Sequence, residues 1–240
     1  MYWGEEGQAP DPAHSGVVGS GFLVNTDGYY VTAAHVLQLY KPNSAQLTVI
    51  VKQRRFGGGS GFWFDVVERD EQHDLALCKL KGFVTRKPDK KNPKRTIFPI
   101  SSLDVSSEIL QQGQFIAIVG FPLGSWNSAV QFGTVAATET VNPNLPGVPA
   151  GRRELIQISA SGNQGNSGGP VISLRTGKVI GVIDQAIPAP LWSNQPVPVM
   201  QNSGIMLAVP ASWVSALLDR NHVKAEEHRP EENIGIGIDQ

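Results

Sequence analysis

From about residue 15 onward the chain alternates short apolar runs with turn residues. Gly21-Phe22-Leu23-Val24 leads through Asn25-Thr26-Asp27-Gly28 into Tyr29-Tyr30-Val31-Thr32, the pattern of a β-hairpin. Runs at 47–51, 63–67 and 75–80 read as further strands. Between the first two of these, Gly57-Gly58-Gly59-Ser60-Gly61 lacks the Gly-Lys-Ser/Thr ending of a phosphate loop, so it reads as a hairpin tip. A polar stretch from Thr85 to Thr96 and the segment around 101–113 precede a second group of runs, at 114–119, 129–135, 154–158, 170–172, 178–183 and 204–209. About a dozen short strands in two groups predict an all-β chain of two barrels. The spacing predicts one helix, from Ala211 to Leu218, because Trp213, Val214, Leu217 and Leu218 fall on one face. We therefore expect a first barrel over 1–100, a second over 101–220 and a solvated, charge-rich tail over 221–240. The apolar end of that tail, 234–238, reads equally as an added strand or a partner-binding segment.

Composition narrows the function classes. Twenty basic residues against 21 acidic ones give a net charge of −1, so a globally basic nucleic-acid binder is excluded. No apolar run reaches the roughly 18 residues of a spanning helix, which predicts a protein without a membrane partner. The start carries neither a basic nor an apolar leader segment, so the expected location is the cytoplasm, with an exported mature form left open. The single cysteine, Cys78, lies in an apolar run and reads as core filler. The five histidines show no metal-ligand spacing; neither a metal nor any other cofactor is expected.

Three short segments carry candidate chemistry. In Gly162-Asn163-Gln164-Gly165-Asn166-Ser167-Gly168-Gly169-Pro170 a serine sits among glycines between two strand-like runs. A serine hydroxyl is a weak nucleophile and needs a base beside it and donors facing the developing oxyanion. Glycines let successive N–H groups curl toward one point and keep side chains away from an incoming carbonyl. Val31-Thr32-Ala33-Ala34-His35-Val36-Leu37 ends a strand on a histidine flanked by small residues. His73-Asp74-Leu75-Ala76-Leu77 places an aspartate just before a buried run. Each alone has an ordinary structural explanation. Together they run His…Asp…Ser, the chain order of chymotrypsin-type enzymes and not that of subtilisins or α/β-hydrolases.

With Gly19-Ser20-Gly21-Phe22-Leu23-Val24 and Gly204-Ile205-Met206-Leu207-Ala208-Val209-Pro210 added, residues 16 to about 218 resemble trypsin/chymotrypsin-fold serine peptidases, and among them the HtrA/Deg branch. The resemblance implies two six-stranded antiparallel β-barrels of chymotrypsin type, a short C-terminal helix and an active site in the crevice between the barrels. It implies a serine endopeptidase with His35, Asp74 and Ser167 as triad and the N–H groups of Gly165 and Ser167 as oxyanion hole. It places Ser161 and Gly162 at the floor of the pocket for the P1 side chain, the one preceding the cut bond, with Met206 on its wall. No carboxylate stands at Ser161, so an uncharged, apolar P1 residue is expected. The wall strand Gly181-Val182-Ile183-Asp184-Gln185-Ala186 is one residue longer than the usual HtrA run. Asp184 and Gln185 are substrate-binding candidates on that strand, and Asp184 either touches the triad or the P1 residue or faces outward as an ordinary strand aspartate.

Departures from the branch bear on partners. Asn166, before the serine, is uncharged where zymogens of this fold carry an aspartate that captures a new N-terminal ammonium. No stretch after Val214 is long enough for a PDZ domain, and the oligomeric state is left open. A regulatory protein partner is expected besides a protein or peptide substrate, with the long segment Ile187–Ser203, including Leu191 and Trp192, as a candidate contact. The stretch Arg86 to Arg95 carries six basic residues but no interleaved aromatics, so nucleic acid is disfavoured. The rival reading is a catalytically silent β-barrel interaction module of the same fold.

Overall fold

The computed structural model describes residues 2–3, 16–38, 47–52, 59–81, 102–106, 108–125, 127–138, 154–191 and 199–227. The first half forms one antiparallel sheet from β1 (Tyr2–Trp3), β2 (Gly16–Val17), β3 (Phe22–Leu23), β4 (Tyr29–Ala33), β5 (Leu47–Lys52), β6 (Gly59–Asp70) and β7 (Leu75–Lys81). Their order is β2-β1-β5-β6-β7-β4-β3. Seven strands replace the six expected, and among the described residues no ladder joins the two end strands. The extra pairing comes from β1, whose two residues face Thr48 and Leu47; a strand that short carries no periodicity to read.

The second half is a closed barrel. Its strands are β8 (Phe115–Gly120), β9 (Ala129–Ala137), β10 (Ile156–Ser159), β11 (Pro170–Ser173), β12 (Val179–Leu191) and β13 (Val199–Pro210), in the order β10-β13-β12-β11-β8-β9. Here the expected six strands are present. The expected loop from Ile187 to Ser203 is instead a long two-stranded arm in its described part: Pro188 faces Asn202, Pro190 faces Met200 and Leu191 faces Val199. Pro188 and Pro190 share one parity along β12, so their donorless nitrogens can both face away from β13. Trp192, the basic stretch 86–95 and the apolar end 234–238 lie outside the described residues.

Period-two alternation places the core. Along β7, Leu75 and Leu77 join Val31, Val182, Leu207, Val209 and Leu217 in a cluster shared by both halves. Ala76, Cys78 and Leu80 face the other way, onto Tyr30, Phe62 and Phe64 inside the first half. Both faces of β7 are covered, which is why Leu75-Ala76-Leu77-Cys78 is apolar without alternation. Truncating a leucine at such a site costs about 2–5 kcal/mol. The helix α1 (Ala211–Arg220) has no side-chain N-cap, and it is held by Val214, Leu217 and Leu218 packed into the shared cluster. No helix among the described residues is long and apolar enough to cross a membrane.

Candidate active site

The shared cluster fixes the ends of three segments against one cavity. His35 stands in a 3-10 turn, Ala34–Leu37, directly after β4. Asp74 ends the turn between β6 and β7 in the left-handed region, with φ +54°, a conformation aspartate tolerates better than bulky residues. From there it grips the His35 turn in three ways. Its carbonyl accepts from Ala34 N at 2.9 Å, its Oδ1 from His35 N at 2.9 Å, and its Oδ2 lies 2.6 Å from His35 Nδ1. The Asp74 side chain is 4% exposed and that of His35 is 37% exposed, so the pair is anchored inside and open at the imidazole.

Ser167 comes from the turn before β11. The cavity, about 330 Å³, is lined by His35, Asp74, Asn163, Gln164, Ser167, Asp184, Gln185, Ala186 and Met206. Three segments far apart in sequence thus meet at one surface. Ser167 Oγ donates to the Asp184 carbonyl at 3.0 Å, so its hydroxyl must rotate before it can give its proton to an imidazole.

The glycine-rich turn is tied down by its carbonyls. Gln164 O accepts from Leu123 N at 2.6 Å, Gly165 O from Ser20 Oγ at 2.7 Å and Asn166 O from Gly169 N at 2.8 Å. In a trans peptide the N–H points opposite the C=O, so the N–H groups of Gly165 and Ser167 face the other way. Gly165 has φ +98°, and a Cβ there would come within 2.1 Å of Phe121 O; only glycine fits. Asn166, 1% exposed, donates from Nδ2 to Gln131 Oε1 at 2.9 Å. A neutral amide pair therefore stands where an activated zymogen would use an ion pair.

Of the pocket candidates, Met206 is buried and lines the cavity, and Gln185 lines it half-buried. Gly162 is buried against Met206: a Cβ on it would lie 1.7 Å from the Met206 sulfur, so that side chain occupies the space glycine leaves open. Ser161 is exposed and is not among the lining residues. Asp184 is 2% exposed and inward-facing, which removes the outward-facing alternative. One ligating atom from each of His35, Asp74 and Asp184 lies within 4.8 Å of the others, the donor set a small cation could share. In this arrangement His35 Nδ1 is already engaged with Asp74. Burial pushes the Cys78 thiol up to about 12, against weaker pulls from Tyr30 and Arg69, so Cys78 stays protonated and is no nucleophile.

Sequence reasoning missed Leu123 and Ser20 as supports of the serine turn. The signal for Ser20 was its place in Gly19-Ser20-Gly21; nothing local marks Leu123, whose role is a backbone N–H with φ +56°.

Residues 19–182 match the family described as Trypsin-like peptidase domain. The chain belongs to this family. Its relatives are HtrA-type serine proteases. Serine protease HTRA4 of Mus musculus is 31% identical over 204 residues, covering 85% of this chain and 34% of that protein. Serine protease HTRA1 of Xenopus tropicalis is 29% identical over 204 residues, covering 85% and 36%. The chain spans between about a third and a half of the length of the curated relatives it matches. Among solved structures, Rv3671c of M. tuberculosis, an inactive serine-to-alanine form, aligns with a TM-score of 0.57 at 22% identity over 84% of this chain and 80% of that one. The serine endoprotease of Yersinia pestis aligns with 0.56 at 21% identity, covering 84% and 56%. At that identity the two likenesses speak for the fold alone, which is of trypsin type.

Proposed function

We propose that this domain is a serine endopeptidase working through Ser167, His35 and Asp74. The observation that carries the reading is the 2.6 Å His35–Asp74 contact, opening onto the cavity that Ser167 lines. His35 Nε2 takes the Ser167 proton as Oγ attacks the scissile carbonyl. It then passes that proton to the leaving amine, and Asp74 holds Nδ1–H and steadies the imidazolium. The N–H groups of Gly165 and Ser167 receive the oxyanion, a contribution typically worth on the order of 100–1,000-fold per donor. Water then releases the acyl group by the same steps in reverse.

The P1 preference is for an uncharged, apolar side chain. Ala186 and Met206 are the apolar part of the lining, Asn163, Gln164 and Gln185 its neutral amides, and the two carboxylates cluster with His35. The substrate is a protein or peptide, and a regulatory protein partner acting on the tied-down serine turn is consistent with Asn166 lacking a charge. Labelling by a phosphonofluoridate tests the triad: the wild type should react at Ser167, and Ser167→Ala should neither label nor cleave. An unlabelled wild type would favour the silent interaction module. Cleavage profiling on a peptide library tests P1, where a dominant lysine or arginine would overturn the pocket reading.

A further inference from the structure

One edge of β12 is covered as far as Ile183 and then left open. Pro170 of β11 faces Val182. Ile183 N–H donates to Gly169 O at 2.9 Å, and Ile183 O accepts from Gly168 N at 2.7 Å. Among the described residues no strand pairs with that edge of β12 beyond this point. The open edge begins at the serine. Ser167 Oγ donates to the Asp184 carbonyl at 3.0 Å, and Ala186, two residues on, lines the cavity. An extended peptide with its cut bond at Ser167 can lie along this edge as one more strand.

Register decides how far such a strand can run. On β12, Ile183 faces Ala208 and Gln185 faces Leu207, so the strand bulges at Asp184. Further along, Ile187 O accepts from Ser203 Oγ, so Ile187 turns its carbonyl toward β13. Successive residues of a strand turn their backbone groups to opposite sides, so Ala186, Pro188 and Pro190 present theirs to the open edge. Ala186 offers an N–H and a carbonyl there. Pro188, which is exposed, and Pro190 offer a carbonyl alone, because proline has no N–H. Let the residue before the cut lie beside Asp184. An antiparallel strand then sets the third residue before the cut against Ala186, the fifth against Pro188 and the seventh against Pro190.

We infer that Pro188 and Pro190 end the substrate strand, so that main-chain pairing stops at the third residue before the cut. From Pro188 onward each facing pair would lack its return bond, and the substrate's carbonyl there would be left without a donor. The arm itself is intact at these positions, since Pro188 faces Asn202 and Pro190 faces Met200. It is an edge with the shape to continue the ladder and without the donors to do so. Recognition through the main chain is thereby confined to a short stretch, which suits cleavage in brief exposed segments of many sequences. This inference rests on the endopeptidase reading given above.

The test measures kcat/KM on fluorogenic peptides that share an apolar P1 residue and carry two, three, five or seven residues before the cut, the added ones threonine or glutamine. N-methylation of the third or the fifth residue before the cut deletes its main-chain donor. For the wild type, kcat/KM should rise about tenfold from two residues to three and stay within about twofold beyond. N-methylation should cost about tenfold at the third residue and nothing at the fifth. The double variant Pro188→Ala/Pro190→Ala should cleave the three-residue peptide as the wild type does and the seven-residue one roughly three- to tenfold faster. A wild type that keeps gaining up to seven residues, with N-methylation as costly at the fifth as at the third, overturns the inference. So does a double variant that is normal on the short peptide and no better on the long one. If the double variant does not fold, the N-methylation series on the wild type decides by itself. Indifference of an active wild type to N-methylation at the third residue overturns the inference and spares the triad. Activity in Ser167→Ala would bring down the triad reading, and the inference with it.

Discussion

Two histidine–aspartate pairs stand next to each other in this molecule in different surroundings. In the first, His35 Nδ1 meets Asp74 Oδ2 at 2.6 Å, and the imidazole opens onto the cavity. In the second, His73 Nδ1 meets both Asp70 oxygens at 2.9 Å, and its ring lies stacked on Trp213 at 3.6 Å between centroids. Asp70 also takes Arg220 at 2.8 Å, and Arg220 reaches Glu68 at 2.9 Å, so this pair ties β6 to α1. Both acids are nearly covered, at 4% and 8% exposure. What differs is the far side of the imidazole. One ring opens onto the cavity, the other faces an indole. The same contact is thus placed for the proposed chemistry in one case and as a brace in the other, and the surroundings decide which.

Breaking each pair should separate the two roles. His35→Ala should abolish peptide cleavage, a loss on the order of a million-fold in kcat, with little change in Tm. His73→Ala should leave kcat within a few-fold and cost about 1–2 kcal/mol of stability, read as a lowered Tm. Next in size, Asp74→Asn should lower kcat about ten-thousandfold by allowing the wrong imidazole tautomer, whereas Asp70→Asn should spare kcat. If both histidine variants lost activity equally, the division of labour drawn here would be wrong. Trp213→Ala should remove the stack on His73 and lower Tm by roughly 3–6 °C, for about 1–2 kcal/mol lost.

The smallest effect is on acid stability. Burial pushes the Asp70 carboxyl up, but hydrogen bonds from His73 and Arg220 outweigh it and hold the group below the usual carboxylate range. The folded state therefore binds this proton less readily than the unfolded one. Its stabilisation is complete above about pH 4 and is lost as pH falls further, through the folded value. Thermal melts of Asp70→Asn should show a shallower acid decline than those of wild type; identical slopes would remove Asp70 from the account.

Much of this was legible along the chain. His35, Asp74 and Ser167 announced themselves through strand-end placement and flanking glycines, and the helix through its one-sided apolar spacing. The second barrel's strands fell where runs of Val, Ile and Leu met turn residues. The arm of β12 and β13 was hidden because its prolines read as loop, when their shared parity lets them sit in a two-stranded ribbon. β1 was hidden by its length. Ser161, set at the pocket floor by the resemblance, is exposed and outside the lining, while Met206 fills the space beside Gly162.

The sequence by itself determined the residue types, their order and the alternation that buries one face of each strand, because these depend on neighbours within a few positions. Set against the HtrA pattern it also made the wall strand one residue longer. Only the tertiary structure decided where β12 bulges. Pairing with β13 forces the bulge at Asp184, and the packing of the two halves sets that carboxyl beside Asp74 and His35. The tertiary structure also decided which of two adjacent residues, His73 and Asp74, points at the cavity. Distances between groups far apart in the chain are set by which sheets share a core, and no local pattern encodes them.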